Sequence, residues 1–229
     1  MKTVVLLYDT SCIYEIVILN YFLKVTGKEM QFVSLDGKEI TATEGYRIVP
    51  EDRLDSADPK DVELLVIPGG DIEKIDTPEV WKYLKSVHDL GGRIAAICAG
   101  VDVVEHAGLL EGIESTHSGE KDVVTSDRII TSRANGYVDF AIEVAKQLEL
   151  FEDEADLQET IAFWREFRRI EESSLFFVTK LQRQLAFLPV RTDIFHDLPL
   201  VCLRETLFQE FLTPAAYYRG SRPFGESGI

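Results

Sequence analysis

The segment that most narrows what this chain can fold into is Arg93-Ile94-Ala95-Ala96-Ile97-Cys98-Ala99-Gly100, directly after Gly91-Gly92. Small apolar residues run in as a buried strand, a thiol stands at the strand's end, and Ala99-Gly100 opens a helix that continues through Val104. A side chain on such a strand-to-helix bend is held at the edge of the sheet, in the manner of a nucleophile elbow. The helix N-terminus behind the sulfur favours the thiolate over the thiol.

The flanking sequence repeats the same alternation, the signature of a parallel sheet with helices on both faces. Strands are expected over Val4–Tyr8, Gln31–Leu35 and Val62–Ile67, the last ended by Pro68-Gly69-Gly70. Helices are expected over Ile13–Val25, Glu79–Leu90 and Val138–Leu150, the last introduced by Asn135-Gly136. Polar segments around Gly37 and Gly45 suggest a small hairpin. Val123–Thr131, split by Ser126-Asp127-Arg128, suggests a second. Residues 1–150 thus read as one doubly wound, flavodoxin-like α/β domain with a mostly parallel sheet.

After Leu150 the pattern changes. Asp156 is placed to cap a helix carrying Leu157, Ile161, Trp164 and Phe167, and the spacing continues through Leu175, Val178, Leu181 and Leu185 beyond a Ser173-Ser174 break. Four prolines (Pro189, Pro199, Pro214, Pro223) divide the remainder, with a brief helix expected over Leu203–Phe211 and a loose tail over Arg219–Ile229. Residues 151–229 are therefore read as a mainly helical extension, too rich in Phe, Leu and Trp to be disordered. No chemistry is legible in it.

Composition removes several classes of function. A net charge of −16 over 229 residues argues against a nucleic-acid partner, which needs clustered Lys and Arg. The apolar run at the N-terminus is too short for a signal peptide or a membrane span. Cys12, Cys98 and Cys202 are far apart and odd in number, as in a protein of the reducing cytoplasm. No His/Cys/Asp cluster has metal-ligand spacing, and no phosphate loop is present, so neither a metal nor a cofactor is expected.

Among reactive candidates Cys98 leads. A free cysteine is often buried filler, but ligands of open α/β sheets bind at the carboxyl ends of the strands, where Cys98 stands. Gly70 and Ala99 would offer backbone amides to an oxyanion beside the sulfur. Glu15, set in an apolar helical run, would have its pKa raised by burial and could move a proton; a solvated acid at a helix N-terminus is the other reading. His117, after Ser115-Thr116, is either a base or shuttle beside the thiol or a solvated loop residue. His106 is expected to point away, His88 and His196 have no motif around them, and Cys12 is read as space-filling.

Together these residues resemble the ThiJ/PfpI superfamily. The resemblance rests on Val66-Ile67-Pro68-Gly69-Gly70, Ala95-Ala96-Ile97-Cys98-Ala99-Gly100, Ala107-Gly108-Leu109-Leu110 with Thr116-His117, and Ile130-Thr131-Ser132-Arg133. It implies a flavodoxin-like fold, a homodimer, and a small electrophile as substrate. It also implies a reactive cysteine at Cys98, a buried glutamate at Glu15, oxyanion amides at Gly70 and Ala99, and a nearby histidine at His117. The implied activity is of glyoxalase or deglycase type and uses no cofactor. Redox sensing, a chaperone-like stress role, or hydration or hydrolysis of another small electrophile are the alternatives. Three departures qualify the match. Ala99 stands where protease-like members have histidine, Glu44 stands where the deglycase branch has an arginine (Arg47 being offset), and no late His-x-Glu follows Arg133.

Overall fold

The computed structural model describes residues 1–168. The expected helices and tail beyond Arg168, together with Cys202 and His196, lie outside the described residues.

Seven strands form the main sheet in the order β5 (Asp52–Arg53), β2 (Met30–Ser34), β1 (Lys2–Leu6), β6 (Val62–Ile67), β7 (Arg93–Ile97), β9 (Ile129–Ser132), β8 (Val123–Ser126). All neighbours are parallel except β8 and β9, which form the expected hairpin. Its turn is tight enough to hold Asp127 and Arg128 at φ 44° and 64°, the left-handed values of a primed hairpin turn. The other expected hairpin pairs β3 (Ile40–Thr41) with β4 (Arg47–Ile48) in a separate two-stranded sheet. Strand β5 went unforeseen, because two charged residues carry no hydrophobic alternation.

Alternation along the strands divides the interior in two. Val4, Leu6, Ile67, Ile94 and Ala96 face one side, where α2 (Pro78–Asp89) and α3 (Gly100–His106) cover them with Val80, Leu84, Val103 and Val104. Val5, Leu64, Val66, Ala95 and Ile97 face the other, under α1 (Val17–Val25) and α4 (Tyr137–Gln147), which contribute Leu19, Leu23, Phe140 and Val144. All of these are essentially inaccessible to solvent, and each large side chain so buried contributes about 1.5–3 kcal/mol. Local signals set the helix starts. Thr77 Oγ1 accepts from the Val80 amide at 3.4 Å with Pro78 in the first turn, a position where its missing N–H costs nothing.

Two boundaries differ from expectation in ways that matter. The helix expected from Ile13 begins instead as a 3-10 turn, Ile13–Glu15, and α1 proper starts at Val17. The tighter turn leaves Glu15 buried rather than on the solvent side. Beyond Leu150, α5 (Glu154–Trp164) is capped by Asp153, whose side chain accepts from the Asp156 amide at 2.9 Å. Asp156 is not the cap but a buried acceptor for the Glu152 amide. Leu157, Ile161 and Trp164 pack against the core under α1 and α4, and the Trp164 ring lies 5.7 Å from both Tyr21 and Phe22.

Candidate functional site

The carboxyl ends of β1, β6 and β7 meet where the direction of strand progression reverses, the place where open α/β sheets take their ligands. Cys98 follows β7 directly. Its amide donates to the Ser132 carbonyl at the end of β9, 2.9 Å away, and its φ is 56°. A residue with a side chain is strained in that region by about 1–3 kcal/mol and stays there only when its surroundings dictate it. The dictating contact is Gly100. A Cβ at that position would lie 2.5 Å from the Ile67 carbonyl oxygen, so the first turn of α3 presses directly on the end of β6. The chain must reverse sharply between Ile97 and Gly100, and the bend leaves the sulfur at the sheet edge.

Glu15 reaches the same point from the loop after β1. It is 1% exposed. Its Oε2 accepts from the Gly69 amide at 2.7 Å, its Oε1 accepts from the Tyr14 hydroxyl at 3.3 Å, and the Cys98 thiol hydrogen-bonds to the same carboxyl group. Gly69 forms the floor under the pair. A Cβ there would lie 2.6 Å from Cys98 Cβ, 2.9 Å from Sγ and 2.8 Å from Glu15 Oε2. Sequence reasoning missed this role. The expectation for Pro68-Gly69-Gly70 concerns the Gly70 amide, and Gly69 has the separate role of admitting both reactive groups. The Gly-Gly pair was the available signal, and a pair does not say which member faces the thiol.

The electrostatics follow from burial and the contacts. The Cys98 thiol is pushed up to about 11, chiefly by burial and then by the Glu15 charge, against the Ala99 amide, which donates to the sulfur. This corrects the expectation that the helix terminus would favour the thiolate, since desolvation and a neighbouring carboxylate outweigh one amide. Glu15 is also raised, first by burial, with hydrogen bonds from Gly69, Cys98 and Tyr14 opposing and the Glu44 charge adding to it. Tyr14 is pushed up to about 12 by burial and by Glu15. Tyr8, whose hydroxyl donates to the Pro68 carbonyl at 2.8 Å, is raised mainly by burial. Burial thus pushes both acids of the pair upward.

Of the expected site residues, Cys98, Glu15 and Ala99 meet. Gly70, at φ 142°, lies with its Cα against the Thr10 carbonyl and the Tyr8 ring. His117 sits elsewhere. Its Nδ1 is 2.8 Å from Glu105 Oε2 and its Nε2 is 3.4 Å from Asp102 Oδ1, both carboxylates belonging to α3. Those three side chains bring their donor atoms within 4.8 Å of one another. The sequence showed no metal-type cluster because its members come from a helix face and from the loop after it.

Cys12 is not core filler but half-buried, with Sγ 3.7 Å from Thr43 Oγ1 and its amide donating to the Gly69 carbonyl at 2.9 Å. Glu44 accepts from the Tyr14 amide at 2.7 Å, and Arg47 is taken up by Glu39 at 2.8 Å. Arg47, the offset candidate, therefore does not stand in for Glu44. His106 bonds Asp76 at 2.7 Å, and His88 bonds the Asp127 carbonyl at 2.9 Å.

Known proteins with this sequence pattern and fold bear on the same residues. The family model of the DJ-1/PfpI family matches residues 1–147. The chain is 28% identical over 151 residues to a glutathione-independent glyoxalase of Caenorhabditis elegans, a match that spans 59% of this chain and 81% of that protein. It is 29% identical over 119 residues to a deglycase of Thermococcus kodakarensis, spanning 51% of this chain and 71% of the other. Among solved structures, a DJ-1 superfamily protein of Agrobacterium tumefaciens superposes with a TM-score of 0.65 at 25% identity, over 73% of this chain and the whole of that one. With its mostly parallel sheet and a thiol at the elbow after β7, the chain belongs to the DJ-1/PfpI family.

Proposed function

We propose that this protein is a cysteine-dependent enzyme of glyoxalase or deglycase type, acting on small reactive carbonyls without an added cofactor. The observation that carries the reading is the hydrogen-bonded pair of Cys98 and Glu15 at a strained elbow. The relatives named as a glyoxalase and as deglycases support the reaction class.

With methylglyoxal, the Cys98 sulfur adds to the aldehyde carbon while its proton passes through Glu15 to the aldehyde oxygen, giving a hemithioacetal. A raised thiol pKa suits this step, because the proton leaves only as the S–C bond forms and Glu15 is in place to take it. The hydrogen on the former aldehyde carbon is then removed as a proton and returned to the neighbouring carbon. The product is a lactoyl thioester, and one water releases lactate and restores the thiol. Ala99 and Gly70 amides are the proposed donors to the developing oxyanion. Glu15 moves the protons, and His117 is the proposed second shuttle, a role that requires its ring to turn away from Asp102 and Glu105. The site-bearing domain is taken as residues 1–150 and the remainder as an extension.

A homodimer in the cytoplasm completes the proposal. In its support, Cys12 and Cys98 are free thiols. Among the described residues no helix is long and apolar enough to cross a membrane. A sulfinate-sensing role has less in its favour: the Glu44 charge bears on Glu15 and Cys12, where an oxidised, anionic sulfur would need a cation. The test is lactate formation from methylglyoxal by the wild type and Cys98→Ser side by side. Turnover in the wild type that disappears in the variant is expected. Equal turnover in both would refute the reading.

A further inference from the structure

The geometry points to a divalent transition-metal site formed by Asp102, Glu105 and His117 on the outer face of α3. Asp102 and Glu105 are three residues apart on one helix and so share a face, and His117 is brought over them by the loop after α3. Both imidazole nitrogens face a carboxylate oxygen, at 2.8 and 3.4 Å. The ring bridges the two carboxylates, and turning it about its side-chain bonds would bring one nitrogen and both carboxylates round a single ion.

The donor set chooses the ion. One imidazole nitrogen with two carboxylate oxygens suits Zn²⁺ and its first-row neighbours better than Mg²⁺ or Ca²⁺, which prefer all-oxygen shells. With bonds of about 2.0–2.2 Å, ligand atoms around tetrahedral zinc stand roughly 3.4 Å apart. The three donor atoms already lie within 4.8 Å of one another. Their side chains are 32–51% exposed, which leaves the rotamer freedom to close the remaining gap and an open side for a water ligand. A cation held here would pin the loop that carries His117 to the helix that carries the Cys98 elbow. The site shares His117 with the shuttle role proposed above, so an ion bound here would withhold that histidine from Cys98.

The test is calorimetric titration of the full chain with Zn²⁺, backed by Co²⁺ absorption spectra. Free thiols also take zinc, so the titration is repeated with Cys12, Cys98 and Cys202 changed to serine. One ion per chain is expected in both forms, with a cobalt spectrum lacking sulfur charge-transfer bands. Glu105→Gln and Asp102→Asn should each weaken binding at least about tenfold, with unchanged circular dichroism. A second measurement needs no variant: Zn²⁺ should slow diethyl pyrocarbonate modification of His117, read by mass spectrometry. No binding at millimolar zinc, binding lost with the cysteines but kept in Glu105→Gln, or His117 modified at the same rate with and without zinc would each overturn the site.

Discussion

The two ends of the short helix α3 hold titratable groups under opposite conditions. At its start Glu15 is buried and Cys98 half-buried, and burial is the first cause of the upward shift in both. Along its outer face Asp102, Glu105 and His117 stay partly in solvent, with His117 Nδ1 2.8 Å from Glu105 and Nε2 3.4 Å from Asp102. Where solvent is excluded, adding a charge is costly, and an acid titrates higher. Where solvent remains, charge is tolerated and a cation can be collected. Little more than a turn of helix separates the desolvated pair from the solvated cluster.

The sharpest way to break this comparison is at the thiol. Cys98→Ser should lower turnover of methylglyoxal by at least about a thousandfold, whereas Asp102→Asn should stay within about threefold. Comparable losses in the two would erase the distinction between the ends of α3. Glu15→Gln comes next, with an expected loss of about a hundredfold, the usual reach of a positioned acid or base.

Alkylation of Cys98 against pH tests the electrostatics of the pair. In the wild type the rate should rise through about 11, from an ordinary value of 9.0. In Glu15→Gln the midpoint should fall, because a charge that raises the thiol is gone. A midpoint that rises instead would place the shared proton on Glu15 and make it a donor to the thiolate.

The same shift has a stability signature. A thiol that titrates higher in the folded state than in the unfolded one contributes fully below about pH 9, and that contribution is lost as the pH climbs towards 11. Urea midpoints measured across this window should fall more steeply for the wild type than for Cys98→Ala. Parallel curves would mean the thiol is not desolvated as described.

Gly69→Ala should cost about 1–3 kcal/mol in urea unfolding and reduce turnover with it, because the new methyl overlaps both Cys98 and Glu15. An alanine variant as stable as the wild type would show that the floor of the site gives way easily. The smallest effect, about 1 kcal/mol by thermal melting, is expected for Trp164→Ala. That change removes half-buried ring contacts to Tyr21 and Phe22 and leaves Cys98 alone.

Much of this was readable beforehand, and unevenly so. Strands β6 and β7 begin and end at the residues expected of them, because unbroken apolar runs ended by Pro68-Gly69-Gly70 and by Cys98-Ala99-Gly100 leave little choice of boundary. Glu15 was conspicuous as an acid in an apolar run, and its burial agrees with that. Strand β5 and the cap at Asp153 were not legible, since polar residues in short segments satisfy several local patterns equally well.

What the sequence determined by itself was local and periodic: apolar alternation placed the strands, helical spacing placed the covering faces, and Cys98 fell at the bend between them. The tertiary structure alone decided the pairings. It set Gly69 beneath both the thiol and Glu15, turned His117 onto Asp102 and Glu105, and reversed the sign expected for the Cys98 shift. These outcomes depend on distances between segments far apart in the chain and on the water excluded where they meet. Neither quantity is carried by the spacing of residues along one strand or one helix.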